Sequence, residues 1–320
     1  MKPFAIIIEW ENARISELSR TRRMLSALCT QIDELSLSVD GSPEILILYD
    51  QLEIGADIIE QTLAETFPAH EKIADIRIIP TEGQRYYELK NFGVGLTDVE
   101  NVIFLDSDVV PEPGWLAGLL DALNLPEVDV VGGNTYISME NLYNRAFALF
   151  WFFPLRSDAT ALRKADHFFA NNVGFRRKIL AAHPFPDLPQ FRGQCNALTN
   201  QLLSNDVGIF IQERSRVEHP APNGLKHFIV RALCEGSDEV TISLRSGHRW
   251  GTTIPSNLSR FWVAVNRALG RIRRNHSKVD MGVVGAVYAG GIAFSYIAIK
   301  FLGAAITCLK PDLIQTHFRI

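Results

Sequence analysis

Cysteine is scarce and scattered in this chain. Cys29, Cys195, Cys234 and Cys308 are the only four, and no two form a Cys-x-x-Cys pair. That excludes a zinc site of the usual spacing and leaves isolated, reduced thiols of a cytosolic setting. An excess of positive charge is missing too. The net charge is −4, which argues against a general nucleic-acid binder. The N-terminus has no signal-peptide core, because the apolar run Phe4–Ile8 ends at once in Glu9. The N-terminal part is therefore expected to stay in the cytoplasm. No Gly-x-Gly-x-x-Gly follows the first apolar run and no Gly-x-x-x-x-Gly-Lys-Ser/Thr occurs, so dinucleotide and P-loop readings are weak.

What is present is an ordinary globular mixture, 47% hydrophobic and 21% charged over 320 residues, enough for one large domain or two modest ones. Phe4–Ile8 and Glu44–Asp50 read as continuous apolar strands, each ending in an acid (Glu9, Asp50). A helical spacing runs from about Ser16 to Leu35 and another from Ile54 to Thr66, before a third strand at Ile76–Ile79. This alternation predicts an α/β fold with a parallel, doubly wound sheet, whose ligands sit beyond the carboxyl ends of the strands.

Asn101–Trp115 is the stretch around which the rest is organised. Val102, Ile103, Phe104 and Leu105 form a short buried strand that runs into Asp106-Ser107-Asp108. In extended chain, residues i and i+2 point the same way, so both carboxylates can face one point. Two such acids at a buried strand end are costly without a cation between them. A hard divalent ion, Mn²⁺ or Mg²⁺, meets that need, whereas solvated turn-capping aspartates are the plain alternative. Arg85–Gly93, entered from a Gly83 turn, reads as a helix before this strand.

In their order, the polar loop ending at Asn12, the strand ending at Asp50, Asn91-x-Gly93 and Phe104–Asp108 resemble a family 2 glycosyltransferase of GT-A fold. Val130–Gly133, Asn171–Arg177 and Arg216–His219 extend the likeness, which covers roughly residues 4 to 220. The resemblance implies that Glu9, Glu11, Asn12, Asp50 and Asn91 hold the nucleotide sugar. It also implies that Asp106 faces the ribose or metal, and that Asp108 coordinates a metal bridging the diphosphate, with His219 a further ligand. The ion would neutralise the leaving diphosphate. Members of the family commonly carry a carboxylate pair at the start of the helix after the acceptor segment, where an aspartate serves as general base in an inverting displacement. Here the helix over Leu198–Leu203 places Gln194-Cys195 at that point. Three alternatives stand: Asp187 or another acid is the base, Gln194 only positions the acceptor, or the chain binds donor without efficient transfer.

In the last third, Leu258, Phe261, Trp262, Val265, Leu269 and Ile272 share one helical stripe, with Arg260, Arg267, Arg271, Arg273 and Arg274 on other faces. A basic amphipathic helix of this kind suits an anionic membrane surface, with Trp262 at the interface. Met281–Ile299 has no charge, and with Lys300 tolerated the apolar stretch reaches Leu309. That length suits a bilayer span, and Gly291 with Ser295 forms a small-xxx-small pair. A buried hairpin broken at Gly290-Gly291 is the alternative.

The expected organisation is a transferase domain over 1–225, a basic amphipathic region over 226–280, a membrane-embedded segment over 281–309 and a tail over 310–320. The expected activity is sugar transfer from a nucleotide diphosphate donor to a lipid-linked or glycan acceptor at the cytoplasmic face of the plasma membrane. A nucleotidyltransferase is disfavoured because Glu9-Trp10-Glu11-Asn12 is acidic where triphosphate would sit. A degenerate transferase serving as a membrane scaffold is kept open by Gln194-Cys195.

Overall fold

Side-chain parity along the strands decides how the sheet is covered. In the computed structural model, which describes residues 3–35, 42–67, 73–245 and 254–318, β1 (Phe4–Glu9) is buried along its whole length. Ile6 and Ile8 belong to one apolar cluster with Met24, Leu28, Ile59 and Leu119. Ile7 points the other way, into a second cluster with Leu48, Leu89, Phe104 and Leu198. A strand buried on both faces can be apolar throughout, which is why β1 shows no alternation.

The sheet continues through β2 (Glu44–Asp50), β3 (Asp75–Thr81), β4 (Asn101–Asp106), β5 (Val110–Pro111), β6 (Val130–Ile137), β7 (Leu162–Ala165), β8 (Asn172–Arg176) and β9 (Ile209–His219). Its order is β3-β2-β1-β4-β8-β6-β9-β5, with β7 also on β9. The pairs β3–β2, β2–β1 and β1–β4 are parallel, the doubly wound half that the alternating pattern predicts. Beyond β4 the partners run antiparallel. Helices Leu18–Leu35, Ala56–Thr66 and Trp115–Leu123 cover one face, and Tyr86–Val94 and Gln194–Ser204 the other. The loop after β1 is not fully extended, because Glu11–Ile15 forms a short helix of its own.

Gly93 sets how closely the helix Tyr86–Val94 approaches the sheet. A Cβ there would lie 2.8 Å from Ile7 and 3.1 Å from Leu48, inside the contact distance of packed carbons. Glycine therefore lets this helix sit directly on β1 and β2.

The described chain forms two compact units. The first comprises 1–136, 156–187 and 194–219, and holds the sheet. The second comprises 137–155, 188–193 and 220–320. Residues 246–253 of the expected basic region and the last two of the tail lie outside the described residues.

The second unit is helical: Leu142–Phe150, Gly224–Arg245, Ile254–Asn275, Val283–Leu309 and Leu313–His317. Val283–Leu309 is one unbroken helix, so no hairpin forms at Gly290-Gly291. Phe147, Phe228 and Tyr296 meet edge to face at 5.2–6.0 Å. Gly236 and Gly303 let two helices touch backbone to backbone: a Cβ on Gly236 would collide with the Lys300 carbonyl, and one on Gly303 with that of Leu233. Arg271 donates to the carbonyls of Ala148 and Trp151 at the end of the 142–150 helix, groups that have no partner within that helix.

Candidate active site

Glu9 and Asp106 end adjacent parallel strands and are register partners. Both are buried. Asn12, in the first turn of the short helix, bridges them: its Nδ2 donates to Glu9 Oε1 at 2.7 Å and to Asp106 Oδ2 at 3.2 Å. Its backbone N–H reaches Glu9 Oε2 at 3.3 Å. Ser107 Oγ accepts the N–H of Ala13, fixing the same loop from the other side.

The helix Tyr86–Val94 brings a cation and a phenol to this pair. Tyr86 and Lys90 are four residues apart and so share a helix face. The Tyr86 hydroxyl donates to Asp106 at 2.7 and 2.8 Å, and Lys90 Nζ donates to Oδ1 at 2.8 Å. Lys90 is 0% exposed, with its ammonium 4.4 Å from the Tyr86 ring centre. Burial, and then the Asp106 charge, push the Glu9 carboxyl well above its ordinary range. Burial also raises Asp106, against the pull of Lys90 and with the further push of Asp108. One ammonium among three carboxylates leaves the strand ends with surplus negative charge, which a proton or a further cation relieves.

Asp108 is buried just past the strand end. Its carbonyl accepts from Arg20 Nε at 2.6 Å, and Arg20 Nη2 also donates to the carbonyl and Oε1 of Glu218 at 2.7 and 2.9 Å. That arginine fastens the Asp-x-Asp turn to the end of β9. Glu218 pairs with Val110 across the β5–β9 ladder, so His219 follows it opposite the turn.

The remaining expected residues divide. Glu11 is close enough to raise Glu9 further. Asp50 ends β2, two residues past the Leu48 partner of Glu9, and its Oδ1 accepts the Leu52 N–H, closing a turn. Asn91 is engaged by the chain: its amide exchanges two hydrogen bonds with the Phe185 backbone, at 2.8 and 2.9 Å. Asp187 is 79% exposed and ion-paired with Arg85 at 2.5 Å. Gln194 opens the helix Gln194–Ser204, as the family resemblance implies, and is buried. Next to it, burial pushes the Cys195 thiol up to about 12, and it donates to the Phe168 carbonyl at 3.0 Å.

Lys90, Tyr86 and Arg20 are absent from the residues expected from sequence. Each left a signal. Tyr86 and Lys90 share a helix face just before Asn91-x-Gly93, and Arg20 lies in line with the buried Met24 and Leu28. A charged residue on a buried helix face needs a partner.

Residues 56–183 match the model of glycosyl transferase family 2. The chain carries a family 2 glycosyltransferase domain. Among solved structures, this transferase is similar to the mannosyltransferase PcManGT from Pyrobaculum calidifontis in complex with GDP-Man and Mn²⁺. The identity is 15% and the TM-score 0.58, over 97% of this chain and 88% of that one. It is also similar to S. aureus TarS 1–349 in complex with UDP-GlcNAc, at 12% identity and a TM-score of 0.51, over 96% and 92%. GalNAc-T7 with UDP, GalNAc and Mn²⁺ aligns at 11% identity and a TM-score of 0.51, over 75% and 51%. The shared architecture is GT-A. No curated protein matches the transferase in sequence.

Proposed function

We propose that the transferase moves a sugar from a nucleotide diphosphate donor, UDP- or GDP-linked, to a lipid-linked or glycan acceptor, with inversion and with the help of Mn²⁺ or Mg²⁺. The observation that carries this is the acid-rich strand end: Glu9, Asp106 and Asp108 gathered where α/β sheets bind ligands, with Lys90 the cation hydrogen-bonded to Asp106. The structural relatives bound to GDP-Man, UDP-GlcNAc and Mn²⁺ support the donor class and the ion.

Among the described residues, no group of three or more His, Cys, Asp or Glu side chains could hold a metal by itself. An ion of the Mg²⁺ or Mn²⁺ type needs only one or two protein carboxylates and takes its other ligands from phosphates and water. Asp108 and Asp106 are the residues that would hold it, with His219 at the edge. When bound, it supplies Lewis-acid neutralisation of the leaving diphosphate. Lys90 and Tyr86 hold Asp106 in place. Asn12 ties Glu9 and Asp106 together by giving one N–H to each. Arg20 fixes the backbone at Asp108, so that its carboxylate is presented from a rigid turn.

The general base is the open part of the chemistry. Gln194 cannot take a proton, and the Cys195 thiol, lifted to about 12, stays protonated and engaged. In this reading Asp187 serves as base from the exposed rim and Gln194 orients the acceptor hydroxyl. The second reading, donor binding without efficient turnover, is favoured by the missing carboxylate at the helix start. The transferase is placed at the cytoplasmic face of the plasma membrane, held there by its C-terminal helices; Val283–Leu309 has the length and apolar content for membrane contact.

The test is calorimetric binding of UDP-, GDP- and dTDP-sugars with and without Mn²⁺, alongside Asp108→Ala and a turnover assay. Metal-dependent binding of one donor, lost in the variant, is expected. Binding without turnover selects the second reading, and no binding of any donor refutes both.

A further inference from the structure

The helix Val283–Leu309 is long enough to cross a bilayer, but its surroundings in the second unit do not suit a span. Its second half lies against Gly224–Arg245 at backbone contact through Gly236 and Gly303. That neighbour carries Arg231, Glu235, Asp238 and Glu239 over the same turns. Lys300 of the apolar helix pairs with Glu239 at 2.5 Å, and Arg231 pairs with Glu235 at 3.3 Å. Asp238 accepts the N–H groups of Phe191 and Arg192 at 3.0 and 3.1 Å. Threading this helix through hydrocarbon would either drag those charged and polar groups with it or strip it from its partner, and both are costly.

The opposite face is bare. Val283, Val287, Phe294, Leu302 and Leu309 are exposed at steps of one or two helical turns, and Val284 beside them is 85% exposed. Together they make one apolar stripe along the full length of the helix. The helix Ile254–Asn275 adds Leu258, Trp262 (50% exposed) and Leu269. The two faces join: Phe261, next to Trp262, packs on Phe294 at 5.7 Å, and Leu269 lies over Gly290. The single helical stripe read from the sequence thus separates into a packed edge, Val265 and Ile272, and an exposed one. Along this stretch the formal charge is one-sided: from 254 to 310 there are eight Lys and Arg residues, of which Arg271 and Lys300 are engaged inside the unit, and a single acid, Asp280. Exposed apolar stripes on helices of net positive charge are complementary to an anionic bilayer surface.

We infer that the second unit docks in the plane of an anionic lipid surface, the exposed faces of Ile254–Asn275 and Val283–Leu309 entering the headgroup region without crossing it. The inference rests on the membrane association proposed above and specifies its geometry. Both ends of the apolar helix then stay on the side that holds the transferase domain.

The test uses the full chain with an epitope after Ile320. In inside-out membrane vesicles, external protease is expected to remove both the transferase domain and the epitope. An epitope protected inside the vesicle would show a crossing helix and overturn in-plane docking while leaving membrane association intact. In flotation with phosphatidylcholine vesicles containing phosphatidylglycerol, binding is expected to exceed that to phosphatidylcholine alone. The triple variant Arg267→Gln, Arg273→Gln, Arg274→Gln should lose it by about a hundred-fold, from roughly five-fold per cation. Val284→Glu with Val287→Glu should lose it while keeping the wild-type melting temperature. Absence of flotation, or a concentration-dependent dimer in its place, would refute both the docking and the association it rests on.

Discussion

Replacing Lys90 by methionine is the most informative single perturbation of the site. The substitution keeps an unbranched chain beside the Tyr86 and Phe104 rings but deletes the buried ammonium that meets Asp106 at 2.8 Å. Removing one partner of a buried ion pair costs about 3–5 kcal/mol, because the other charge is left uncompensated. Here the penalty is sharpened by Asp108, which already pushes Asp106 upward. The variant escapes part of the cost by protonating Asp106, so the loss depends on pH. A carboxyl whose folded pKa is raised contributes stability that is present below its unfolded value of about 3.9 and lost as pH rises through the folded one. Urea denaturation should therefore show a deficit that is smaller at about pH 5 than at about pH 8. Adding Asp106→Asn should recover much of the loss, and the double-mutant cycle should give a coupling well beyond 0.5 kcal/mol, roughly the limit for independent sites. A deficit identical at both pH values, or no coupling, would show that Lys90 and Asp106 do not form the pair on which the account of the site depends.

Other expectations concern the frame around the site. Glu112 resists burial through hydrogen bonds from Arg156, Tyr136 and Arg216, which bring its carboxyl down to about 2. Its contribution, at most about 3 kcal/mol, is present above the ordinary carboxylate pKa and lost as pH falls toward 2. Glu112→Gln should flatten that acid limb in thermal melts between pH 5 and 2, and an unchanged limb would count against the network. Gly303→Val should destabilise the second unit by about 3 kcal/mol, whereas Gly291→Ala, with no neighbour within 4 Å, should gain up to about 1 kcal/mol. Equal effects of the two in denaturant titrations would contradict the helix contact.

Much of the first unit was legible because the relevant physics is local. Apolar runs ending in acids gave the strands, and the acids landed at the carboxyl ends of β1, β2 and β4. The helix read from apolar spacing at Leu198–Leu203 is present and begins at Gln194, the position that the family resemblance assigned to its start. Pairing was harder to read. Nothing near Asp106 in the sequence names Lys90 or Asn12 as its partners, since the contact exists only after a helix and a loop from elsewhere pack over the strand end. Asn91 shows the converse: its place in a motif implied a ligand contact, while its amide is taken up by the Phe185 backbone. In the C-terminal helix, length and composition cannot tell a membrane span from a helix packed on one side. Lys300 was the sequence hint, and its partner Glu239 supplies the meaning.

Gly93 contributes no charge and no polar side chain, yet it tunes the electrostatics of the strand ends. It lies one turn from Lys90 on a helix held against Ile7 and Leu48. An added methyl group would act as a spacer, lifting that helix from the sheet and drawing the ammonium away from Asp106. The Coulomb term falls with every fraction of an ångström, most steeply where water is excluded. The voltage felt by whatever occupies the site is thus set by a hydrogen atom standing where other residues carry a carbon.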